Sequence, residues 1–274
     1  MPELPEVETI RRQLEKEIKG ATIKNVVVRN AKPLNVQAEQ FIAAVRGAKI
    51  KEVGRRAKLL IFYLSNNWRI LFHLKMTGRM LLARKNAEPT KHTHVIFELS
   101  GPRNLFFEDY RRFGFVKLLE EKNLEKYLAG QGYGPEPLSK NFNYKTMKEC
   151  LLAHKNKKIK QILMEQTCVA GIGNIYAAEI CFHAGVRPDR KISGIKEPEL
   201  KKIFSGIKKI LMSAINNRGT SADAYVDAYG KQGTFVPKLK VYGRDGEKCL
   251  RCGGKIKKIK SAGRGTYFCP NCQK

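Results

Sequence analysis

The last 26 residues of this 274-residue chain contain four cysteines in two closely spaced pairs. Two residues separate Cys249 from Cys252 and Cys269 from Cys272, and sixteen residues lie between the pairs. Four thiolates at this spacing are typical of a tetrahedral zinc site, which can fold a segment too short to bury its own core. Two disulfides are the competing interpretation, which a cytosolic location disfavours. The spacing predicts one structural zinc ion, with no coordination position open to a substrate. We expect no organic cofactor.

The segment that carries these cysteines, 236–274, is strongly basic. It contains 11 Lys and Arg residues against 2 Asp and Glu residues. Its two cysteine pairs fit two knuckles joined by a hairpin, with the run 263–265, Gly-Arg-Gly, in the hairpin loop. An arginine between two glycines lets backbone and guanidinium approach a phosphate closely.

The three remaining cysteines, Cys150, Cys168 and Cys181, are scattered through sequence of helical character. An unpaired cysteine packs as a small hydrophobic residue and is among the most buried residue types. We therefore expect these three to be buried free thiols.

The charge of the whole chain indicates a polyanionic partner. It has 53 Lys and Arg residues against 25 Asp and Glu residues, a formal net charge of +28. Nucleic acid is the simplest partner for such a surface, although a generally basic, ribosome-like surface has the same charge. The apolar runs are shorter than a membrane span, and the first residues contain no apolar signal core. We expect a cytoplasmic protein without a membrane partner.

Hydrophobic periodicity divides the chain into a strand-rich half and a helical half. A helix is predicted over 5–19, and helical patterns recur over 157–166, 174–184 and 199–217. Short segments rich in branched and aromatic residues predict strands, which suggests a β-sandwich or barrel before residue 120. These segments are 22–28, 59–64, 70–74, 95–99, 105–107 and 115–119. The turn-forming run 130–137 is typical of an interdomain linker.

A glycine turn at 169–174, Val-Ala-Gly-Ile-Gly-Asn, separates two of the predicted helices. Such a turn leaves backbone N–H groups unpaired at the start of the second helix, where a phosphate can bind.

The N-terminus contrasts with the basic chain because Glu3, Glu6 and Glu8 fall within its first eight residues. Removal of Met1 would leave Pro2 with a free secondary amine. An uncharged amine can attack an electrophilic carbon and form an iminium, and a neighbouring carboxylate can move protons. The alternative is purely structural, because proline and acidic residues are favoured at the start of a helix.

Motifs along the whole chain resemble those of bacterial formamidopyrimidine-DNA glycosylases, which excise 8-oxoguanine and ring-opened purines. The N-terminal run M-P-E-L-P-E-V-E-T carries most of the likeness, and the other motifs follow in family order. They are R-R-A-K-L-L at 55–60, H-L-K-M-T-G at 73–78, K-H-T-H-V at 91–95, D-Y-R-R-F-G at 109–114, G-P-E-P-L-S at 134–139, G-I-G-N-I-Y at 171–176, V-Y-G-R at 241–244 and G-R-G-T-Y at 263–267.

The resemblance implies an α+β multidomain fold. It consists of an N-terminal catalytic β-sandwich with flanking helices over 1–132, a linker over 133–140, a helix-two-turn-helix DNA-binding domain with a lesion-covering loop over 141–235, and a zinc finger over 236–274. It also implies a bifunctional glycosylase and abasic-site lyase of base excision repair. We expect a monomer that works on double-stranded DNA with oxidised bases or abasic sites, in the nucleoid of a bacterial cytoplasm.

Each site residue is carried over from a matching family motif. Pro2 matches the amine that attacks C1′ and forms a Schiff base, before β- and δ-elimination cut the strand. Glu3 matches the proton-transfer carboxylate, Glu6 a residue that holds the N-terminus, and Lys58 a lysine on the phosphate near the lesion.

Other matches concern DNA binding and base eversion. Met76, Arg111 and Phe113 match the residues that fill the gap left by the everted base, although Met and Phe also commonly pack in cores. The matched DNA contacts are His92, Arg111, Asn174 and Arg264. The matched residues of the lesion-covering loop are Thr220, Ser221 and Tyr225. His73 and His94 are interpreted as hydrogen-bonded structural residues and are left without a functional role.

One departure and two alternatives concern specificity. Ala222, Asp223 and Ala224 occupy the middle of the covering loop, where many family members carry a basic residue. This departure puts the preference for 8-oxoguanine in doubt, because base contacts specify while phosphate contacts position. A relative of endonuclease VIII type would prefer oxidised pyrimidines. A non-catalytic zinc-ribbon protein would explain the charge and the cysteines but not the N-terminal residues.

Overall fold

The computed structural model describes all 274 residues. Its contacts define two compact units, one formed by 1–131 with 217–234 and the other by 132–216 with 235–274. The segment 217–234 therefore packs with the N-terminal part of the chain, whereas the domain boundaries given above remain a prediction. None of the helices combines the length and the apolar character that crossing a membrane requires.

The first unit is built on two four-stranded antiparallel sheets. Their strand orders are β1-β6-β7-β5 and β2-β3-β4-β8. The elements are α1 (Leu4–Ile18), β1 (Ile23–Val28), α2 (Ala38–Val45), β2 (Ile50–Arg56), β3 (Leu59–Leu64), β4 (Trp68–His73), β5 (Gly78–Arg84), β6 (Thr93–Leu99), β7 (Arg103–Asp109), β8 (Phe115–Glu120) and α3 (Glu121–Gly130).

The inner faces of the two sheets share one apolar core. The ring of Phe72, from one sheet, packs edge-on against Phe97 of the other sheet at a centroid distance of 5.8 Å. Leu14 and Ile18 carry the apolar face of α1 into this core. Burial of such side chains contributes roughly 1.5–3 kcal/mol each. The predicted β-sandwich with flanking helices is confirmed, as is the first helix.

The second unit is helical and ends in a small hairpin. Its elements are α4 (Tyr144–Leu152), α5 (Ile159–Leu163), α6 (Asn174–Ala184), α7 (Glu197–Asn216), β9 (Lys257–Ser261) and β10 (Arg264–Phe268). Helix α6 is buried along almost its whole length, and the amphipathic α7 packs against it. The helical patterns over 157–166, 174–184 and 199–217 correspond to α5, α6 and α7, with α5 shorter than predicted.

Two of the three scattered cysteines are joined to each other. Cys150 on α4 and Cys168 before the glycine turn form a disulfide with a Cα–Cα distance of 5.6 Å. The prediction of free thiols is therefore wrong for these two residues. The sequence did not reveal the pair because 18 positions, with helix α5 between them, separate the two cysteines. Cys181 is free and buried as predicted, and burial raises the pKa of its thiol to about 12.

The C-terminal hairpin pairs β9 with β10, with Arg264 opposite Ser261. Ala262 and Gly263 form the tight turn, and both have a positive φ. Gly263 thus lies in the predicted loop, whereas Arg264 and Gly265 begin the strand β10. The guanidinium of the exposed Arg264 projects from the first position after the turn.

Candidate active site

The start of α1 buries an unusual set of residues in the first unit. Pro2 is buried, and Glu3 and Glu6 are only 2% and 1% exposed. The backbone N–H of Glu3 donates to Oε2 of Glu6 over 2.7 Å, and the carboxylate of Glu3 accepts from the backbone of Glu6 in return. This reciprocal capping box fixes the first residues at the helix N-terminus. The α-amino group of Met1 lies 3.6 Å from the Asp223 carboxylate.

The carboxylate of Glu6 also holds the base of the loop 219–225. Its Oε1 accepts from the backbone N–H of Thr220 over 2.8 Å. Gly219 has a φ of +81°, and a Cβ there would lie 2.9 Å from the same oxygen, so this position requires glycine. The buried Tyr225 donates its hydroxyl to the carbonyl of Arg218 over 3.1 Å. Glu6 therefore joins the N-terminus to the loop.

The predicted loop residues occupy the ends of this loop. Ser221 donates its hydroxyl to the carbonyl of Tyr225 over 2.8 Å, which closes the loop across its neck. Thr220 and Tyr225 are buried, whereas Ala222 and Asp223 at the tip are exposed. The arrangement separates a fixed neck from a solvent-facing tip.

Lys58 lies in the turn between β2 and β3 and is only 7% exposed. Arg55 fixes this turn by donating Nε to Oε2 of Glu8 over 2.9 Å and Nη1 to the carbonyl of Ala57 over 2.7 Å. Burial opposes the charged form of Glu8, but hydrogen bonds from Arg11 and the charge of Arg55 outweigh it and lower the pKa of this carboxyl. The pair Glu8–Arg55 therefore ties the Lys58 turn to α1.

His73 ends β4 opposite Leu59, the residue that follows Lys58. Its Nδ1 accepts from the backbone N–H of Lys75 over 3.0 Å. Burial, with further contributions from Lys75 and Lys58, lowers the pKa of the imidazole to about 3. His73 is thus a neutral, hydrogen-bonded residue near neutral pH. The other histidine without a functional role, His94, is buried with Nε2 at 2.9 Å from the carbonyl of Asp109.

The three predicted gap-filling residues lie on two neighbouring turns of the first unit. Met76 is partly exposed on the turn between β4 and β5, and Phe113 is 55% exposed on the turn between β7 and β8. The guanidinium of Arg111 stacks over the Phe113 ring at 4.6 Å. Core packing is therefore excluded for Phe113, which presents an apolar ring with an adjacent cation to solvent.

Asp109 connects these two turns and was not predicted from the sequence. It is 1% exposed, and its Oδ1 accepts from the Thr77 hydroxyl and from the backbone N–H of Arg111. Its Oδ2 accepts from the backbone N–H of Gly114 over 2.7 Å. One buried carboxylate therefore sets the relative positions of the Met76 turn and the Phe113 turn.

His92 and its neighbours form a second cationic and aromatic group. The imidazole of His92 lies 4.1 Å from the Tyr110 ring, and the guanidinium of Arg79 lies 4.9 Å from the same ring. Arg79 also donates to the carbonyl of Ala224, over 2.8 Å from Nη2. Sequence reasoning missed Arg79, which links this group to the loop 219–225.

In the second unit, a buried lysine joins the glycine turn to the C-terminal hairpin. Asn174 is the first residue of α6, and its Nδ2 donates to the carbonyl of Gly265 over 3.2 Å. Lys160 is 4% exposed and donates to Oδ1 of Asn174 over 2.5 Å and to the Thr266 hydroxyl over 2.9 Å. This junction sets the exposed Arg264 beside the N-terminus of α6, where N–H groups favour an anion. Sequence reasoning missed Lys160, since a lone lysine in a basic chain gives no distinguishing signal.

The four C-terminal cysteines converge on one point. All four sulfur atoms lie within 4.8 Å of one another, with 3.8 Å between Cys249 and Cys272 and 3.5 Å between Cys252 and Cys269. Zn–S bonds of about 2.3 Å in a tetrahedron require sulfur atoms roughly 3.8 Å apart, so the donor set fits zinc. The backbone N–H of Gly254 and the neighbouring thiols lower the pKa of Cys252 to about 7, whereas burial raises the pKa values of Cys269 and Cys272, so a metal would have to displace protons from these two thiols.

Three family models match consecutive parts of the chain. They describe the formamidopyrimidine-DNA glycosylase N-terminal domain over residues 1–116, the H2TH domain of the same enzyme over 133–225, and a zinc finger found in FPG and IleRS over 246–274. Proteins named formamidopyrimidine-DNA glycosylase from Desulfitobacterium hafniense DCB-2 and Listeria monocytogenes EGD-e are 43% and 41% identical, each aligned over 100% of both chains.

Solved structures give the same result. A mutant Lactococcus lactis Fpg in complex with DNA containing Fapy-dG superimposes with a TM-score of 0.93 at 39% identity over 100% of both chains. A complex of Lactococcus lactis Fpg with DNA containing an abasic site also gives a TM-score of 0.93, at 39% identity over 99% of both chains.

Proposed function

The chain belongs to the formamidopyrimidine-DNA glycosylase family, and we propose that this DNA glycosylase of base excision repair removes oxidised purines and then cuts the strand. The observation that carries the proposal is the buried cluster of Pro2, Glu3 and Glu6 at the start of α1. Burying two carboxylates beside a proline is costly unless they are hydrogen-bonded, and Glu6 is satisfied by the backbone of Glu3 and Thr220.

The proposed reaction starts with removal of Met1, which converts the Pro2 nitrogen from an amide into a nucleophilic secondary amine. This amine attacks C1′ of the damaged nucleotide, a C–N bond forms, and the bond from C1′ to the base breaks. The proton lost by the Pro2 nitrogen leaves with the base, Glu3 protonates the ring oxygen O4′ as the C1′–O4′ bond breaks, and the nitrogen lone pair forms an iminium. The Glu3 carboxylate then takes a C2′ proton and the 3′ phosphate leaves by β-elimination. Loss of a C4′ proton expels the 5′ phosphate by δ-elimination, and water hydrolyses the iminium to free Pro2.

Positioning of the DNA is assigned to separate residues. Lys58 neutralises a phosphate near the lesion, while His92, Arg111, Asn174 and Arg264 contact further phosphates. Met76, Arg111 and Phe113 fill the gap that the everted base leaves in the stack. Unstacking the base costs a few kcal/mol, and an apolar wedge in the gap offsets part of this cost. Thr220, Ser221 and Tyr225 hold the loop that covers the everted base. Bound zinc on Cys249, Cys252, Cys269 and Cys272 supplies folding energy to the finger and takes no part in the chemistry.

A second candidate is activity on oxidised pyrimidines. Asp223 stands at the exposed tip of the covering loop, where a basic residue is common in the family. A solved complex of wild-type Lactococcus lactis Fpg contains DNA with an oxidised pyrimidine. An acidic tip offers hydrogen-bond acceptors rather than a cation to the everted base, which favours a broadened base preference.

Borohydride trapping tests both candidates. The zinc-loaded protein is incubated with duplexes that carry 8-oxoguanine or an oxidised pyrimidine, and the trapped adduct is mapped by peptide mass spectrometry. We expect an adduct on Pro2 with faster trapping on 8-oxoguanine. Faster trapping on the pyrimidine would favour the second candidate. An adduct on a lysine, or no adduct on either duplex, would contradict the proposed chemistry.

We further propose that the protein acts as a monomer on nucleoid DNA in the cytoplasm of a bacterium. The formal charge of +28 supports this, since like charges oppose self-association and attract DNA. Sedimentation of the free protein should give a mass near 31.1 kDa.

A further inference from the structure

A groove in the second unit lies away from the glycine turn. It has a cavity volume of about 530 Å³, and side chains of α6, α7, the segment 235–240 and the cysteine finger line it. We call it the α6–finger groove. Phe182 of α6 lines it eight residues after Asn174, which places it roughly 12 Å along the helix from the candidate phosphate contact. The groove therefore occupies a different end of α6.

Apolar side chains form part of the α6–finger groove. Phe182, Ile210, Phe235 and Leu250 line it. Leu250 is 59% exposed, and Val236, adjacent to Phe235, is 41% exposed. Of the remaining large exposed hydrophobic residues, Phe113 and Tyr110 belong to the proposed DNA-binding surface. The four apolar lining residues, of which Leu250 is the exposed one, thus form an apolar patch that the DNA site does not explain.

Cations surround this apolar patch. Lys209, Lys238, Lys240 and Arg251 line the groove, and the guanidinium of Arg251 lies 4.1 Å from the Phe182 ring. Burial and the charges of Lys209, Arg251 and Lys202 lower the pKa of His183, which also lines the groove. The groove thus has a strongly positive potential.

The single acidic residue that lines the groove offsets only part of this positive charge. Glu179 is 4% exposed, and its carboxylate accepts backbone N–H groups of Lys240, Val241 and Tyr242 over 2.9, 3.0 and 2.9 Å. The Glu179 carboxylate is therefore occupied by backbone N–H groups. The groove-lining cations Lys209, Lys238 and Arg251 can pair with carboxylates of another molecule.

We propose that the α6–finger groove binds an acidic segment of a partner protein, with one large apolar side chain inserted beside Leu250 and carboxylates paired with Lys209, Lys238 and Arg251. A concave pocket of this size accepts a side chain but not a duplex, and an apolar lining contributes nothing to phosphate binding. The Phe182 ring is covered by Arg251, which prevents a base from stacking on it. Because the groove and Asn174 lie at opposite ends of α6, the partner and DNA can be bound together.

The charge of the groove is tested with a fluorescein-labelled twelve-residue peptide in which one Phe is flanked by Asp and Glu. Fluorescence anisotropy measures its affinity for the zinc-loaded full chain. Lys209→Glu should weaken binding about fivefold, since exposed ion pairs contribute up to about 1 kcal/mol. The matched control is Lys208→Glu, the same change at the preceding exposed residue, which does not line the groove. Equal effects of the two variants would overturn the proposal.

The apolar part of the proposal has its own test. Changing the peptide Phe to Ala should weaken binding about tenfold to the wild type and much less to Leu250→Ser, because two groups in contact give non-additive effects. The proposal that a side chain inserts beside Leu250 would be overturned if the losses of affinity from the peptide change and from Leu250→Ser were additive. It would also be overturned if the peptide did not bind the wild type at about 1 mM. Zinc content and melting temperature check that each variant folds, and Lys209→Gln replaces Lys209→Glu where it does not.

DNA is the competing occupant, and cutting of lesion-containing duplex distinguishes it. Lys209→Glu should cut within about twofold of the wild type and leave the salt dependence of DNA binding unchanged. Weaker DNA binding with a smaller salt slope would instead assign the groove to nucleic acid and overturn the proposal. The peptide assay contains no DNA, so its outcome is independent of the proposed glycosylase activity.

Discussion

The residues around Glu6 in the first unit and the four cysteines in the second are held in place by different forces. Helix α1 buries Leu4, Ile10 and Leu14 completely, so the capping box at its start is attached to the core of the sandwich. The cysteine finger has only a small apolar cluster that includes Ile256 and Val241. A hydrophobic core stabilises the fold through many small contributions to the free energy of folding, whereas a bound metal supplies one large contribution. Local changes should therefore affect the two regions very differently.

The largest effect on activity should come from a substitution in the buried N-terminal cluster that leaves the fold intact. Glu3→Gln should reduce base excision about 10³-fold, because it removes a proton-transfer group while retaining the hydrogen-bonding shape. Binding to damaged DNA and the melting temperature should change little. Single-turnover excision and a binding titration measure the two effects, with Glu17→Gln on the same helix as the control. Full excision by Glu3→Gln would remove its proposed role.

The second effect tests the other region. Stripping the metal with a chelator should unfold the finger and weaken DNA binding about 100-fold, because Arg264 and the Asn174 junction lose their support. The melting transition of the sandwich should persist, since its core contains no cysteine of the finger. Calorimetry and DNA titration before and after zinc is returned measure this. Unchanged lesion binding after complete metal removal would show that the finger is not part of the DNA site.

Many elements of both regions could be predicted from the sequence, but only where neighbouring residues along the chain carried the signal. Helix α1 follows from periodicity and the zinc ligands from their spacing, and Met76 and Phe113 were singled out by motifs. Strand β2, Ile-Lys-Glu-Val-Gly-Arg-Arg, lacks a clear apolar alternation and was not predicted. Asp109 and Lys160 were missed because their roles depend on distant partners, such as Thr266, 106 residues from Lys160. The Cys150–Cys168 bond was missed for the same reason.

A smaller effect should separate the wedge from general binding. Met76→Ala and Phe113→Ala should each slow excision from duplex about tenfold, because stacking lost on base eversion is no longer replaced. A lesion in a single strand has little stacking to replace and should be cut at nearly the wild-type rate. Excision from both substrates, at two salt concentrations, is the measurement. Equal losses on both would assign these side chains to the fold instead.

The smallest effect concerns the stability of the sandwich and its pH dependence. His73 has a pKa of about 3 in the folded chain, against 6.5 for an unperturbed imidazole. The unfolded chain therefore binds a proton that the folded chain does not, and the free energy of unfolding should fall below pH 6.5 by about 1 kcal/mol per pH unit. Urea unfolding at pH 7.5, 6.5 and 5.5 measures this. His73→Asn keeps an acceptor for the Lys75 N–H, and its free energy of unfolding should depend less on pH. If the slope is unchanged in this variant, the pH dependence arises from other groups.

The pinned neck of the covering loop has a consequence for how such an enzyme can diversify. Thr220 and Tyr225 fix the loop to Glu6 of α1, whereas Ala222 and Asp223 are exposed. Substitutions at the tip leave the hydrogen bonds of the neck in place, so a lineage can explore new damaged bases there while the helix start stays fixed, although Asp223 itself lies 3.6 Å from the Met1 amino group. The neck has no such tolerance, because Gly219 and Glu6 leave no space for a larger residue. Selection on substrate range and selection on the fixed geometry of the neck thus act on adjacent residues of one short loop.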